Sequence, residues 1–241
     1  MIETVQEALG ALDRAWPKIR DECLQVHGGE RHYQAMIYHG LRTDGGVPVA
    51  QIGLNVRQFI SNVQSEHFRE LAASRHSVHR AFDTDVVIFN PSVGGDWRRR
   101  AFDSSLRNML VAIDVIASED HDGSSSHRKR LRAEDAIAVI RNLSAQRQEV
   151  QLRFAQRELW SNRIEDRSKP PSVIRVDPSD PDAFTQTLTV TSDFQPVVIV
   201  IDSATDAGER MTEDALSAAK KEATAQGVQW RYVSPTDAEV I

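Results

Sequence analysis

Phe82-Asp83-Thr84-Asp85-Val86-Val87-Ile88-Phe89 and, twenty residues on, Leu110-Val111-Ala112-Ile113-Asp114-Val115-Ile116 decide the fold. The first stretch is rich in β-branched and aromatic residues and closes on Asn90-Pro91, which reads as a strand with a turn behind it. The second is an apolar run around a single acid, the pattern of a central strand buried on both faces. Side chains alternate along a strand, so Asp83, Asp85 and Val87 share one face and Asp114 and Ile116 share another. A carboxylate inside such a run is costly unless it meets a partner, a proton or a metal ion.

Upstream, Val5, Leu9, Leu12, Trp16, Ile19 and Cys23 recur at helical spacing and predict an amphipathic helix over 2–26, with Pro17 as a kink or split. Gly28-Gly29 breaks the chain, and Tyr33, Ile37 and Leu41 mark a second helix from Glu30 to Leu41. Val47–Val56 reads as extended and 59–75 as helical. Downstream, the spacing predicts one helix from Arg132 to about Trp160, and Thr187–Thr191 alternates like an edge strand. Val197–Ile201 is a clean strand. Thr212 caps a helix that stops at Gly227, and Val228–Val233 is the last strand. The pattern is an α/β chain with a central mixed β-sheet flanked by helices and an N-terminal helical region. It reads as one domain over 1–241, with the N-terminal helices and first strand in 1–80 and an insertion over 161–195.

The composition excludes several classes. The single Cys23 rules out an internal disulfide and a multi-cysteine zinc site. The eight histidines form no HExxH-type pair, and neither a phosphate loop nor a dinucleotide fingerprint occurs. No apolar run is long enough to span a bilayer, and no basic stretch followed by an apolar one opens the chain, so a cytoplasmic location without membrane contact is expected. The net charge of −6 argues against indiscriminate binding of nucleic acid. Arginines nevertheless crowd the middle of the chain, in Arg98-Arg99-Arg100 beside Trp97 and in Arg128-Lys129-Arg130, where they suit a phosphate backbone.

If the two deciding strands pair, Asp85 and Asp114 converge on a hard-oxygen site suited to Mg²⁺ or Mn²⁺, and Glu30 from the second helix supplies a third oxygen. The alternative for each acid is structural: an aspartate in a strand more often holds a hydrogen bond, and Glu30 stands where an acid favours a helix start. Asp83 reads as a capping or turn residue, and Gln34 lies one turn beyond Glu30.

With these residues the chain resembles the PD-(D/E)XK nuclease superfamily. Asp85 in FDTDVVIFNP and Asp114 in VAIDVIASE match the two motif acids on consecutive strands of a hairpin, and Glu30 in GGERHYQ matches the upstream helical acid. The resemblance implies a restriction-endonuclease-like core, a metal held by Asp85 and Asp114, catalytic roles for Asp85, Asp114 and Glu30, and DNA as the partner, with a homodimer or a partner protein in addition. The chain departs from the motif at one position: the family's lysine is replaced by Ile116, which offers neither donor nor charge. Arg107, Arg128 and Lys129 are the cations near in sequence. Two functions follow, a metal-dependent nuclease acting on DNA and a catalytically inactive nuclease fold that binds nucleic acid or protein.

Overall fold

The structure is a computed structural model that describes residues 1–59, 65, 66, 69, 81–97, 102–118, 131–161, 184–190, 192–204, 210–235 and 238–240. A mixed sheet of six strands runs, from edge to edge, β1 (Ile52–Phe59), β2 (Ala81–Phe89), β3 (Met109–Ala117), β6 (Gln195–Ile201), β7 (Gln229–Val233) and β8 (Ala238–Val240). The first three strands pair antiparallel, β3–β6–β7 run parallel, and β8 returns antiparallel. β3 lies inside the sheet and is buried at every residue except the half-buried Asp114, as its apolar run predicts.

Helices cover both faces. On one lie α1 (Val5–Cys23) and α2 (Glu30–Thr43), whose Leu12, Ile19, Ile37 and Leu41 pack with Val86, Ile88, Ile113 and Ile199. On the other lie α4 (Ala133–Phe154) and α5 (Glu213–Gln226), whose Ile140, Leu143, Ala219 and Ala223 share a core with Val87, Ala112, Ile116, Val198 and Trp230. Local chemistry sets several ends. Thr4 accepts the Glu7 N–H at 3.2 Å while the Glu7 carboxylate accepts the Thr4 N–H at 3.1 Å, a reciprocal cap on α1. Gly227 takes the left-handed conformation (φ 65°) that ends α5.

Several expected boundaries move. α1 runs unbroken through Pro17, because the buried face of Ala8 to Cys23 holds the helix against the sheet although Pro17 has no N–H for the Asp13 carbonyl. The extended segment starts at Ile52, after a short 3₁₀ turn at Val49–Gln51, and continues to Phe59, where a helix was expected. Pairing of Phe59 with Ala81 holds it as strand. Within 60–80 only Ser65, Glu66 and Arg69 are described, and the Arg69 N–H donates to the Ser65 carbonyl at 3.2 Å. α4 ends at Phe154 instead of Trp160, and β4 (Ala155–Ser161) pairs antiparallel with β5 (Phe184–Val190) in a separate two-stranded sheet. The stretch from 150 to 160 contains no glycine or proline, so nothing in its periodicity signals the change. A short helix, α3 (Phe102–Arg107), precedes β3, and β8 follows the strand expected to be last. No helix among the described residues is long and apolar enough to cross a membrane.

Candidate functional site

The main-chain ladder between β2 and β3 ends at Val86↔Ile113, and the next residues are Asp85 and Asp114. Each carboxylate reaches across the parting strands. Asp114 Oδ1 accepts the Asp85 N–H at 3.3 Å, and Asp85 Oδ2 accepts the Val115 N–H at 2.7 Å. Side chains thus take the N–H groups that carbonyls would otherwise take. β1 is irregular at the same level. Asn55, between Leu54↔Val86 and Val56↔Thr84, has a φ of 51°, which asparagine tolerates better than most residues.

α2 brings two more oxygen-bearing side chains to this seam. Its N-cap is Gly29, which has no capping side chain, and Glu30 stands in the first turn, where the helix dipole favours an acid. Gln34 follows one turn later on the same face and is only 3% exposed. Gln34 Nε2 donates to Glu30 Oε1 at 3.3 Å. Gln34 Oε1 is buried without a hydrogen-bond partner.

The electrostatics follow from this crowding. Burial pushes the Asp114 carboxyl well above the usual aspartate range; the charges of Asp85, Glu30 and Asp83 push it the same way, against the Asp85 N–H. Asp85 is also raised, chiefly by burial, with the Val115 N–H and the Gln34 amide holding it down. Like charges in a half-buried seam take up protons or a cation. The donors are hard oxygens, which suit Mg²⁺ or Mn²⁺. The residues therefore fit a divalent ion. Among the described residues no three His, Cys, Asp or Glu side chains form a metal cluster.

No family model, curated protein or solved structure matches the chain.

The remaining candidates fall into place or out of it. Asp83 is a salt-bridge residue, not a cap: Arg57, opposite it on β1, donates through Nη2 to Asp83 Oδ2 at 2.9 Å and through Nε to Oδ1. Arg107 lies over the Phe154 ring, 4.7 Å from its centroid. Trp97 stacks on Phe89 at 5.6 Å, so one of its faces is occupied. Arg98, Arg99, Arg100, Arg128, Lys129 and Arg130 lie outside the described residues. Ile116, the position of the family's lysine, is 6% exposed and packs in the apolar core under α4 and α5.

Gln34 and Arg57 gain their importance only here. The i,i+4 spacing of Glu30 and Gln34 was visible in the sequence. The pairing of Arg57 with Asp83 needed the strand register.

Proposed function

We propose that this chain is a divalent-metal-dependent, nuclease-type protein acting on DNA, built on a restriction-endonuclease-like core and working in the cytoplasm. The supporting observation is the pair Asp85 and Asp114 where β2 and β3 part, each accepting a backbone N–H from the other strand, with burial and then the charge of Asp85 raising Asp114. Bound there, Mg²⁺ or Mn²⁺ supplies a water of lowered pKa and polarises a phosphodiester. Asp85 and Asp114 hold the ion. Glu30, which accepts from Gln34 Nε2 one turn later on α2, adds a ligand or orients a water. Arg98–Arg100 and the Arg128-Lys129-Arg130 cluster hold the phosphate backbone, and a homodimer or a partner protein is the further partner.

Ile116 favours a second reading, a nuclease fold that binds nucleic acid or protein without cleaving. A lysine lost from this position removes a donor and a charge, and loss of one such group commonly lowers rate by orders of magnitude.

One experiment separates the two. Supercoiled and linear DNA are incubated with the protein in Mg²⁺, Mn²⁺ or EDTA, alongside Asp114→Asn. Metal-dependent cleavage lost in the variant supports the nuclease. Binding of metal and DNA without cleavage supports the inactive module. A parent that binds no divalent ion refutes the metal reading. Charge reversal at Arg98–Arg100 should weaken DNA binding and reduce its salt slope by about one unit per lost phosphate contact.

A further inference from the structure

We propose that Asn55 is a positioning residue for the carboxylate of Asp85: its left-handed backbone steps β1 and β2 from one face of the sheet to the other and turns the Asp85 side chain into the sheet plane, toward β3. The inference rests on the metal reading above and adds a residue to it.

Asn55 lies inside an eight-residue strand, where φ is ordinarily near −140°, yet its φ is 51°. Among the described residues it is the one non-glycine residue with a positive φ. The β1–β2 ladder keeps a single register from Ile52↔Ile88 to Phe59↔Ala81 and omits one pair, Asn55↔Asp85.

The neighbouring side chains show the step. On β1, a Cβ at Gly53 would stand 2.4 Å from Val56 Cγ2. On β2, Thr84 Oγ1 donates to Gln146 Oε1 of α4 at 3.3 Å, and Val87 packs in the core under that helix. Residues three apart on a regular strand point to opposite faces. Here Gly53 and Val56 meet on one face, as do Thr84 and Val87, and these four are ladder partners, Gly53↔Val87 and Val56↔Thr84. Both strands therefore slip one place in their alternation, at the level of Asn55 and Asp85.

Asp85 stands at the slip. Counting from Thr84 puts it on the α1–α2 face, and counting from Val87 puts it on the α4–α5 face. Strand side chains ordinarily stand perpendicular to the sheet. That of Asp85 instead reaches along the sheet, where Oδ2 accepts the Val115 N–H of β3 at 2.7 Å, while the Asp85 N–H donates to Asp114 Oδ1 at 3.3 Å. The slip thus brings the first carboxylate to the strand that carries the second. Asn55 itself is exposed, so a substitution there changes backbone preference and little else. Glycine adopts a positive φ freely, asparagine tolerates it, and a β-branched residue resists it.

The test is calorimetric titration of Mn²⁺ into the full chain, Asn55→Gly and Asn55→Val, at a temperature where thermal unfolding in EDTA shows each to be folded. The parent should bind Mn²⁺, and Asn55→Gly should match it within about twofold. Asn55→Val favours extended backbone and the missing pair with Asp85, and should bind about tenfold more weakly, the loss typical when a group that orients a metal ligand is removed. A folded valine variant that binds as tightly as the parent would overturn the inference and leave the two aspartates standing. So would a glycine variant that loses as much as the valine one, since the side chain and not the backbone would then be at work. If Asn55→Val does not fold, Asn55→Ala replaces it: weaker binding than Asn55→Gly supports the inference and equal binding overturns it. A parent that binds no Mn²⁺ overturns the metal reading and this inference together.

Discussion

Asp114→Asn should make the metal-free protein more stable near neutral pH. In the folded chain the Asp114 carboxyl is held well above its ordinary range, first by burial and then by the charge of Asp85. A carboxyl raised on folding contributes stability that is fully present below its unfolded pKa and is lost as pH rises through the folded value. At pH 8 the native state therefore holds a carboxylate that it disfavours. Asparagine keeps the Oδ1 that accepts the Asp85 N–H at 3.3 Å, removes the charge and turns an amide donor toward the Asp85 carboxylate. A hydrogen bond to a charged partner contributes about 1.5–3 kcal/mol. A gain of about 2 kcal/mol corresponds to a midpoint roughly 4–8 °C higher for a chain of this size. The assay is thermal unfolding by circular dichroism in EDTA between pH 4 and 8. The gap between variant and parent should be widest at pH 8 and close toward pH 4. Mn²⁺ at a hundredfold excess over its dissociation constant should reverse the order, because the parent alone gains about 2.7 kcal/mol. A variant that melts below the parent at pH 8 in EDTA, or a gap unchanged with pH, would refute the reasoning.

Other outcomes follow from the packing. Arg231 is fully buried, donates through Nη2 to Asp13, lies 4.9 Å over the Trp16 ring, and leaves Nε and Nη1 without partners. Asp13→Ala should destabilise the protein by about 1.5–3 kcal/mol, whereas Arg231→Met should be neutral or stabilising by about 1 kcal/mol, both read from urea midpoints. A Cβ at Gly40 would stand 2.5 Å from Ile19 Cγ1. Gly40→Ala should therefore lose about 1–3 kcal/mol to overpacking between α1 and α2, despite the better helix propensity of alanine; an unchanged thermal midpoint would show that the helices shift freely. Ile116→Lys should lose about 3 kcal/mol or more by placing an ammonium under α4 and α5, measured by urea unfolding.

The elements that could be read from the sequence are those whose cause lies in a few neighbouring residues. The apolar run 110–116 reports burial on both faces, and β3 lies inside the sheet for that reason. Thr212 and Gly227 act on the backbone within one turn, so the ends of α5 were legible. Where the cause lies across the fold, the reading failed. Phe59 is strand because Ala81 pairs with it, and 155–161 is strand because 184–190 pairs with it.

The same division runs through the candidate site. The sequence alone picked out Asp85 and Asp114, because an acid within an apolar strand is conspicuous whatever surrounds it. Only the tertiary structure set them across the end of a ladder, each accepting a backbone N–H from the other strand. Gln34 was indistinguishable from a surface glutamine until α2 packed it beside the seam, and Arg57 until the β1–β2 register set it opposite Asp83. Position 116 shows the limit of alternation as an argument. It assigns a side to each residue of a straight strand, but it cannot say which helix layer covers that side. That layer is fixed by packing among distant segments, and here it put α4 and α5 over Ile116.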